Sequence, residues 1–119
     1  MKALYALGCA TLAIFLISGT ALAASPGSER AESQALYKQH CAMCHGHDGK
    51  GNTPVGKKFD IPDLLAPAAQ KKTDAELQEI IDNGKQKMPA FKTKLKPERV
   101  EDLVTYIREL AKLSTGAHK

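Results

Sequence analysis

The five residues that decide the fold are Cys41-Ala42-Met43-Cys44-His45, a C-x-x-C-H stretch in a chain of 119 residues. Two thiols separated by two residues can form thioethers with the two vinyl groups on one side of a porphyrin. The histidine that follows then lies beneath the iron as an axial ligand. This pattern is the attachment motif of c-type haem. We therefore expect one covalent haem c, bound through Cys41 and Cys44 and ligated by His45.

Other uses of two cysteines and a histidine fit this chain less well. A disulfide between residues three apart closes a very small loop and constrains the unfolded chain little. A structural zinc ion needs four ligands, and the sequence contains no second pair of cysteines. A thioredoxin-like redox site needs a βαβ context, which the flanking sequence does not show.

The first 23 residues have the pattern of a secretory signal peptide. Lys2 provides a short positive start, residues 3–17 are uncharged, and Ala21-Leu22-Ala23 has the small-x-small form of a cleavage site. Cleavage after Ala23 would leave a single domain at 24–119 in the periplasm, and c-type haem is attached outside the cytoplasm. The uncharged stretch 3–24 is also close to the roughly 20 residues that span a bilayer. An uncleaved membrane anchor is therefore the alternative.

Helical signals flank the motif, and no strand pattern is present. Residues 31–39 have helical character. Thr73 and Glu76 form a capping-box pattern, and Gly84 is placed to end that helix with a positive φ. Pro97 suits the first position of a last helix. The apolar stripe of this last helix consists of Val100, Leu103, Val104, Ile107 and Leu110.

Glycines and prolines recur throughout the segment 46–67, which predicts irregular loops. The mature part contains no tryptophan and four aromatic residues, so its own side chains offer a modest core. We expect an all-α fold, with about three to five helices and long loops wrapped around one covalent haem. Five residues are expected to line a dry haem pocket: Leu64, Leu65, Ile80, Phe91 and Val104.

The second axial ligand of the iron is expected to be Met88, which lies in a helix-free loop stiffened by Pro89. Its alternative role is that of core filler, the usual role of methionine. Met43 lies within the attachment motif and cannot cross the ring plane. His40 and His47 are tethered next to the motif and are expected to be solvated loop residues. His118 lies two residues from the C-terminus.

With these residues in place, the chain resembles the class I c-type cytochromes over residues 31–113. The resemblance rests on Cys41–His45, on Met88–Phe91 and on Leu103–Tyr106. It implies a small one-electron carrier, not an enzyme, because His and Met on both faces of the iron leave no open position for a substrate.

The resemblance also implies roles for single residues. An aromatic residue before the motif, here Tyr37, is expected to pack against Leu103 and Tyr106 of the last helix. The carbonyl of Pro54 is expected to accept a hydrogen bond from the His45 imidazole. Two features depart from the family pattern: Ser33 replaces a small glycine at the helix crossing, and no tryptophan is available to bond a haem propionate.

The basic residues predict how the protein meets its partners. The formal net charge of +4 falls by one when Lys2 leaves with the signal peptide, and so small an excess in an exported chain does not favour nucleic-acid binding. Five lysines and no acid lie between 84 and 96, around Met88, and predict a basic docking surface for redox proteins. These lysines are Lys85, Lys87, Lys92, Lys94 and Lys96.

Two other functions stay open from the sequence. A ligand-binding or peroxidase-like haem enzyme would leave Met88 off the iron or easily displaced. A dedicated subunit of one dehydrogenase or oxidase would share every motif with a freely diffusing carrier. As a free carrier, the protein is expected to be a monomer.

Overall fold

The structure, a computed structural model, describes residues 25–116, and in that range it contains six helices and no strand. The helices are α1 (Pro26–His40), α2 (Ala42–His45), α3 (Pro54–Lys58), α4 (Pro67–Gln70), α5 (Asp74–Asn83) and α6 (Pro97–Gly116). None of these helices is long and apolar enough to cross a membrane. The signal peptide expected at 1–23 and the side chain of His118 lie outside the described residues.

The three helices predicted from the sequence are confirmed. The first begins five residues earlier than expected because Pro26 occupies a position in the first turn, where a missing N–H removes no hydrogen bond. Helix α5 has the predicted capping box: the Thr73 hydroxyl accepts a bond from the amide of Glu76 (3.2 Å), and the Glu76 carboxylate accepts one from the amide of Thr73 (2.6 Å). Gly84 ends α5 with a φ of 73°.

The segment expected to be irregular contains two short helices. Helices α3 and α4 have five and four residues, and each begins at a proline, Pro54 and Pro67. A proline at the first helical position provides the helical φ without losing a backbone bond, so one turn forms even in a loop-rich segment. The all-α prediction is confirmed, and the number of helices exceeds the three to five expected because of these single turns.

The core lies where α1 crosses α6 and where α6 packs on α5. Tyr37 is fully buried there, and its ring lies 5.2 Å from that of Tyr106 at an angle of 51°. Leu103 belongs to the same buried cluster, which confirms the packing that the resemblance implied. Ser33 is buried at this crossing, and its hydroxyl donates a hydrogen bond to the carbonyl of Glu29 in the same helix (2.8 Å).

Arg108 connects α6 to the segment between α4 and α5, which the sequence analysis did not anticipate. Its guanidinium donates to the backbone carbonyls of Gln70 (2.9 Å) and Lys72 and to the carboxylate of Asp74 (2.9 Å). The planar group has five donors in a fixed fork, so it can satisfy several carbonyls at once. The contact holds the backbone around Lys72 against the last helix.

Candidate functional site

Four of the predicted haem residues lie around one cleft. A cavity of about 290 Å³ adjoins a smaller one of about 30 Å³, and both are lined by His45 and Met88. Cys41 and Cys44 line the smaller cavity only. The fold therefore places Cys41 and Met88, which are 47 positions apart in the sequence, on the wall of the same cavity.

The backbone of the C-x-x-C-H motif is held from two sides. The amide of His45 donates to the carbonyl of Cys41 (2.9 Å), which makes the motif a helical turn. From α1, the buried hydroxyl of Tyr37 donates to the carbonyl of Gly46 (2.9 Å). From the following loop, the hydroxyl of Thr53 donates to the carbonyl of Cys44 (3.0 Å). These bonds set the direction in which the motif side chains enter the cleft.

Helix α3 packs directly on the motif because Gly56 has no side chain. A Cβ atom at Gly56 would lie 2.6 Å from the carbonyl oxygen of Cys44 and would also overlap the carbonyl of Gly51. The amide of Gly56 is bonded to the hydroxyl of Thr53 (2.8 Å), the same hydroxyl that donates to Cys44. One threonine thus caps α3 and fixes the motif.

The His45 imidazole is buried, and its Nδ1 atom has no hydrogen-bond partner at normal geometry among the described residues. Burial lowers the pKa of His45, and the nearby backbone carbonyl of Pro62 partly opposes that decrease. The ring is therefore held neutral at neutral pH, the form that binds a metal.

The backbone carbonyl that acts on the pKa of His45 is that of Pro62. The Nδ1 atom has no hydrogen-bond partner among the described residues, so the role expected of Pro54 stays a prediction. Pro54 starts α3, and its exposed ring lies at the first position of that helix. Pro62 instead lines the larger cavity together with His45. Both prolines follow the motif, and only the path of the intervening loop decides which of them returns to the imidazole.

Neither cysteine of the motif is in a disulfide. Burial, and secondarily the neighbouring Cys44, raises the pKa of the Cys41 thiol to about 12. Before haem attachment, Cys41 is therefore held as a thiol and not as the thiolate that binds a free metal ion.

Met88 is presented to the cleft by a tight reverse turn. The backbone groups of Lys85 and Met88 bond to each other in both directions (2.9 and 3.2 Å). Gln86 takes a φ of 53° inside this turn. The amide of Phe91 then donates to the carbonyl of Ile81 (3.0 Å), which fastens the far side of the loop to α5. Met88 is half-buried.

Comparison with known proteins places this site in a family. Residues 28–107 match the family model described as cytochrome c oxidase, cbb3-type, subunit III. Over 109 residues the chain is 32% identical to cytochrome c6 of Nostoc sp., covering 90% of this chain and 92% of that one. This chain is a class I c-type cytochrome.

Further relatives of the cytochrome are of two kinds. A solved structure, the KustC0563 c-type cytochrome, has a TM-score of 0.61 and 36% identity, covering 66% of this chain and 95% of that one. The cbb3-type cytochrome c oxidase subunit CcoP of Rubrivivax gelatinosus is 37% identical over 78 residues. Those 78 residues are 65% of this chain and 25% of CcoP. The cytochrome thus spans nearly all of the Nostoc cytochrome c6 and a quarter to a third of the oxidase subunits.

The cofactor of this cytochrome is covalent haem c, and the residues around the cleft suit it. Two free thiols lie at one end, a buried imidazole nitrogen lacks a partner, and a thioether side chain enters from the Met88 loop. Of the five residues expected to line a dry pocket, Leu64 and Ile80 line the larger cavity and Phe91 the smaller. Val104 is buried in the helix core instead, and Leu65 lines a separate groove against α6.

Sequence reasoning missed some of the cleft residues of the cytochrome. Leu77 and Ala69 also line the larger cavity, and the helical spacing of Leu77 with Ile80 was the signal that could have identified the first of them. His40 is not a solvated loop residue. It ends α1, is half-buried, and its ring packs edge-on against Phe91 at 5.8 Å. His47 is exposed, as expected.

Proposed function

We propose that this cytochrome is a periplasmic one-electron carrier whose haem iron is ligated by His45 and Met88. The observation that carries the proposal is that both side chains line both parts of the cleft next to the two haem cysteines. An iron with a ligand on each face has no open position for a substrate, which favours outer-sphere electron transfer over bond-making chemistry.

The haem supplies the one-electron redox change, and the residues of the chain set the conditions for it. Burial keeps the His45 ring neutral, and the Pro62 carbonyl can orient it through the ring nitrogen that does not face the iron. The thioether of Met88 is a soft ligand that favours ferrous iron and raises the reduction potential. Apolar side chains such as Leu64 and Ile80 keep water from the cleft.

The proposed location rests on the N-terminal segment. Residues 1–23 have the charge, apolar run and cleavage site of a secretory signal. Export agrees with a covalent haem, whose attachment takes place outside the cytoplasm. N-terminal sequencing of the purified cytochrome should begin at Ala24, and a chain that retains Met1 would support the membrane-anchored alternative.

The proposed partners are redox proteins with acidic surfaces, which the monomeric cytochrome would meet through its lysines. Lys85 and Lys87 line the cleft beside Met88, and Lys92, Lys94 and Lys96 are exposed on the following loop. Because the positive charges surround the opening where electrons leave the haem, they would steer an acidic partner to that edge.

A second candidate function is that of a subunit of a larger oxidase. Its support is the match to the cbb3-type subunit family and to FixP of Bradyrhizobium diazoefficiens, 29% identical over 102 residues that make up 34% of FixP. Co-purification from native membranes discriminates the two: a free carrier is released with the soluble periplasmic fraction, and a subunit stays with the oxidase activity.

The first test of the proposal is the absorption spectrum of protein matured in a periplasm that contains haem-attachment machinery. We expect a c-type reduced spectrum, haem that resists acid-acetone extraction, and the weak far-red band of Met-ligated ferric iron. Covalent haem without the far-red band, together with rapid cyanide binding to the native protein, would replace the carrier by a ligand-binding or peroxidase-like function.

A further inference from the structure

The two parts of the cleft mark the two ends of the haem, a step that rests on the covalent attachment through Cys41 and Cys44. The vinyl groups of a haem lie at one edge of the ring, and its two propionates lie at the opposite edge. The cysteines line only the smaller cavity, so that cavity is the vinyl end. Residues that line only the larger cavity therefore surround the propionate end.

Few charged side chains line the larger cavity alone. They are Asp60, Lys72 and Lys85, with Lys87 shared between the two cavities. A carboxylate such as Asp60 would repel a propionate, so the lysines are the groups that can stabilise one. Lys85 and Lys87 are exposed, whereas Lys72 is half-buried.

Lys72 also differs from the other lysines in how its backbone is held. Arg108 donates to its carbonyl and to the carbonyl and side chain of Gln70, so the segment is fastened to α6. Lys72 makes no salt bridge with any described residue. The exposed Glu76 lies near enough for Lys72 to contribute to its lowered pKa, but the main causes are bonds from the Thr73 amide and hydroxyl and the Lys72 charge is the last of them. Lys72 thus lies half-buried at the wall of a cavity without an ion-pair partner among the described residues.

We propose that Lys72 is the haem propionate-binding residue of this cytochrome. Its ammonium forms an ion pair with a propionate carboxylate and takes the part that a tryptophan, absent from this chain, would otherwise play. The pair stabilises the ionised propionate and adds positive charge near the iron, which favours the ferrous state.

The test compares Lys72→Gln with Lys71→Gln in the purified holoprotein. Lys71 is the adjacent lysine, is exposed and does not line the larger cavity, so it controls for the loss of one charge from this segment. The midpoint potential is measured as a function of pH. Removal of the Lys72 charge raises the pKa of the propionate, so the pH range over which the potential falls should move upward by about one pH unit. Lys71→Gln should leave that range in place.

Two further measurements make the outcome decisive. Lys72→Arg keeps the charge, so its midpoint potential should depend on pH as in the wild type. A shift in Lys72→Arg as large as that in Lys72→Gln would overturn the proposal. Identical pH profiles for Lys72→Gln and Lys71→Gln would also overturn it. If Lys72→Gln does not fold, a crystal structure of the wild-type holoprotein decides. An Nζ atom within about 4 Å of a propionate oxygen supports the pair, and one beyond ion-pair distance of both propionates overturns it.

This test is independent of the identity of the second axial ligand. The far-red band of the wild type reports on Met88, whereas the difference between Lys72 and Lys71 variants reports on the propionate. A missing band with a shifted Lys72→Gln profile would therefore reject Met88 as the second axial ligand and retain the propionate site.

Discussion

A Cβ atom on Gly84 would lie 2.5 Å from the carbonyl oxygen of Met88. It would also lie 2.9 Å from the amide nitrogen of Ala90, and Gly84 has a φ of 73°. The end of α5 and the proposed ligand loop are therefore in backbone contact, and only glycine allows both the contact and the conformation. The position of Met88 depends on this approach.

Gly84→Ala should accordingly displace the Met88 loop. We expect a loss of about 1–3 kcal/mol in the free energy of unfolding, measured by denaturant titration, and a weaker far-red band in the ferric spectrum. Gly27→Ala is the matched control, because Gly27 lies in α1 with nothing within 4 Å of its Cβ position. It should be neutral or stabilising by up to about 1 kcal/mol. Equal effects of the two variants would contradict the role of the Gly84 contact.

Met88→Ala should open one face of the iron. We expect the far-red band to disappear, the midpoint potential to fall because a soft ligand is lost, and cyanide to bind rapidly. Met43→Ala provides the control, since Met43 is 73% exposed although it lies inside the haem motif. Its spectrum should be that of the wild type. A Met88→Ala protein that keeps the far-red band would show that another residue ligates the iron.

Tyr37→Phe should destabilise the protein by about 1–2 kcal/mol, because the buried carbonyl of Gly46 loses its only side-chain donor among the described residues. Tyr106→Phe is the control, because it removes the hydroxyl oxygen from the other ring of the Tyr37–Tyr106 contact. The described residues offer the Tyr106 hydroxyl no hydrogen bond, so its removal should change stability by less than about 0.5 kcal/mol. Thermal unfolding of the two holoproteins measures the difference, and an equal effect would show that the ring contact alone matters.

Glu76→Gln should reduce stability at neutral pH and have little effect in acid. Bonds from Thr73 lower the pKa of Glu76 in the folded protein below its ordinary value. The carboxylate therefore stabilises the fold above its unfolded pKa, and this contribution is lost as the pH falls through the lower, folded pKa. Glu79→Gln on the exposed side of α5 is the control. If Glu76→Gln lowers the melting temperature by the same amount at neutral and at acid pH, the charge of Glu76 does not contribute to the stability of the helix cap.

Replacement of Lys85 and Lys87 together by Gln should slow electron transfer with an acidic partner protein roughly threefold to tenfold at low salt. The difference should shrink as salt rises, because screening weakens the steering. A double variant of Lys38 and Lys112, exposed on α1 and α6, removes the same charge elsewhere. Stopped-flow rates that fall equally in both double variants would indicate a dependence on net charge and not on this surface.

Features set by short-range spacing were determined by the sequence alone. The haem motif needs only two thiols and an imidazole at fixed separations, so Cys41, Cys44 and His45 could be assigned without a fold. Both ends of α5 and the start of α6 follow from local hydrogen bonding and from the φ of glycine and proline. The all-α class follows from apolar residues at helical spacing.

The tertiary structure alone decided which distant residues meet at the cleft. Pro54 and Pro62 are equivalent by sequence, but Pro62 lies with His45 on the wall of the larger cavity, whereas Pro54 starts α3, which packs on the motif at Gly56. Lys72 reaches the larger cavity because Arg108, far along α6, holds its carbonyl. Loop direction depends on packing and on hydrogen bonds between residues distant in sequence, and those contacts leave no periodic pattern in the chain.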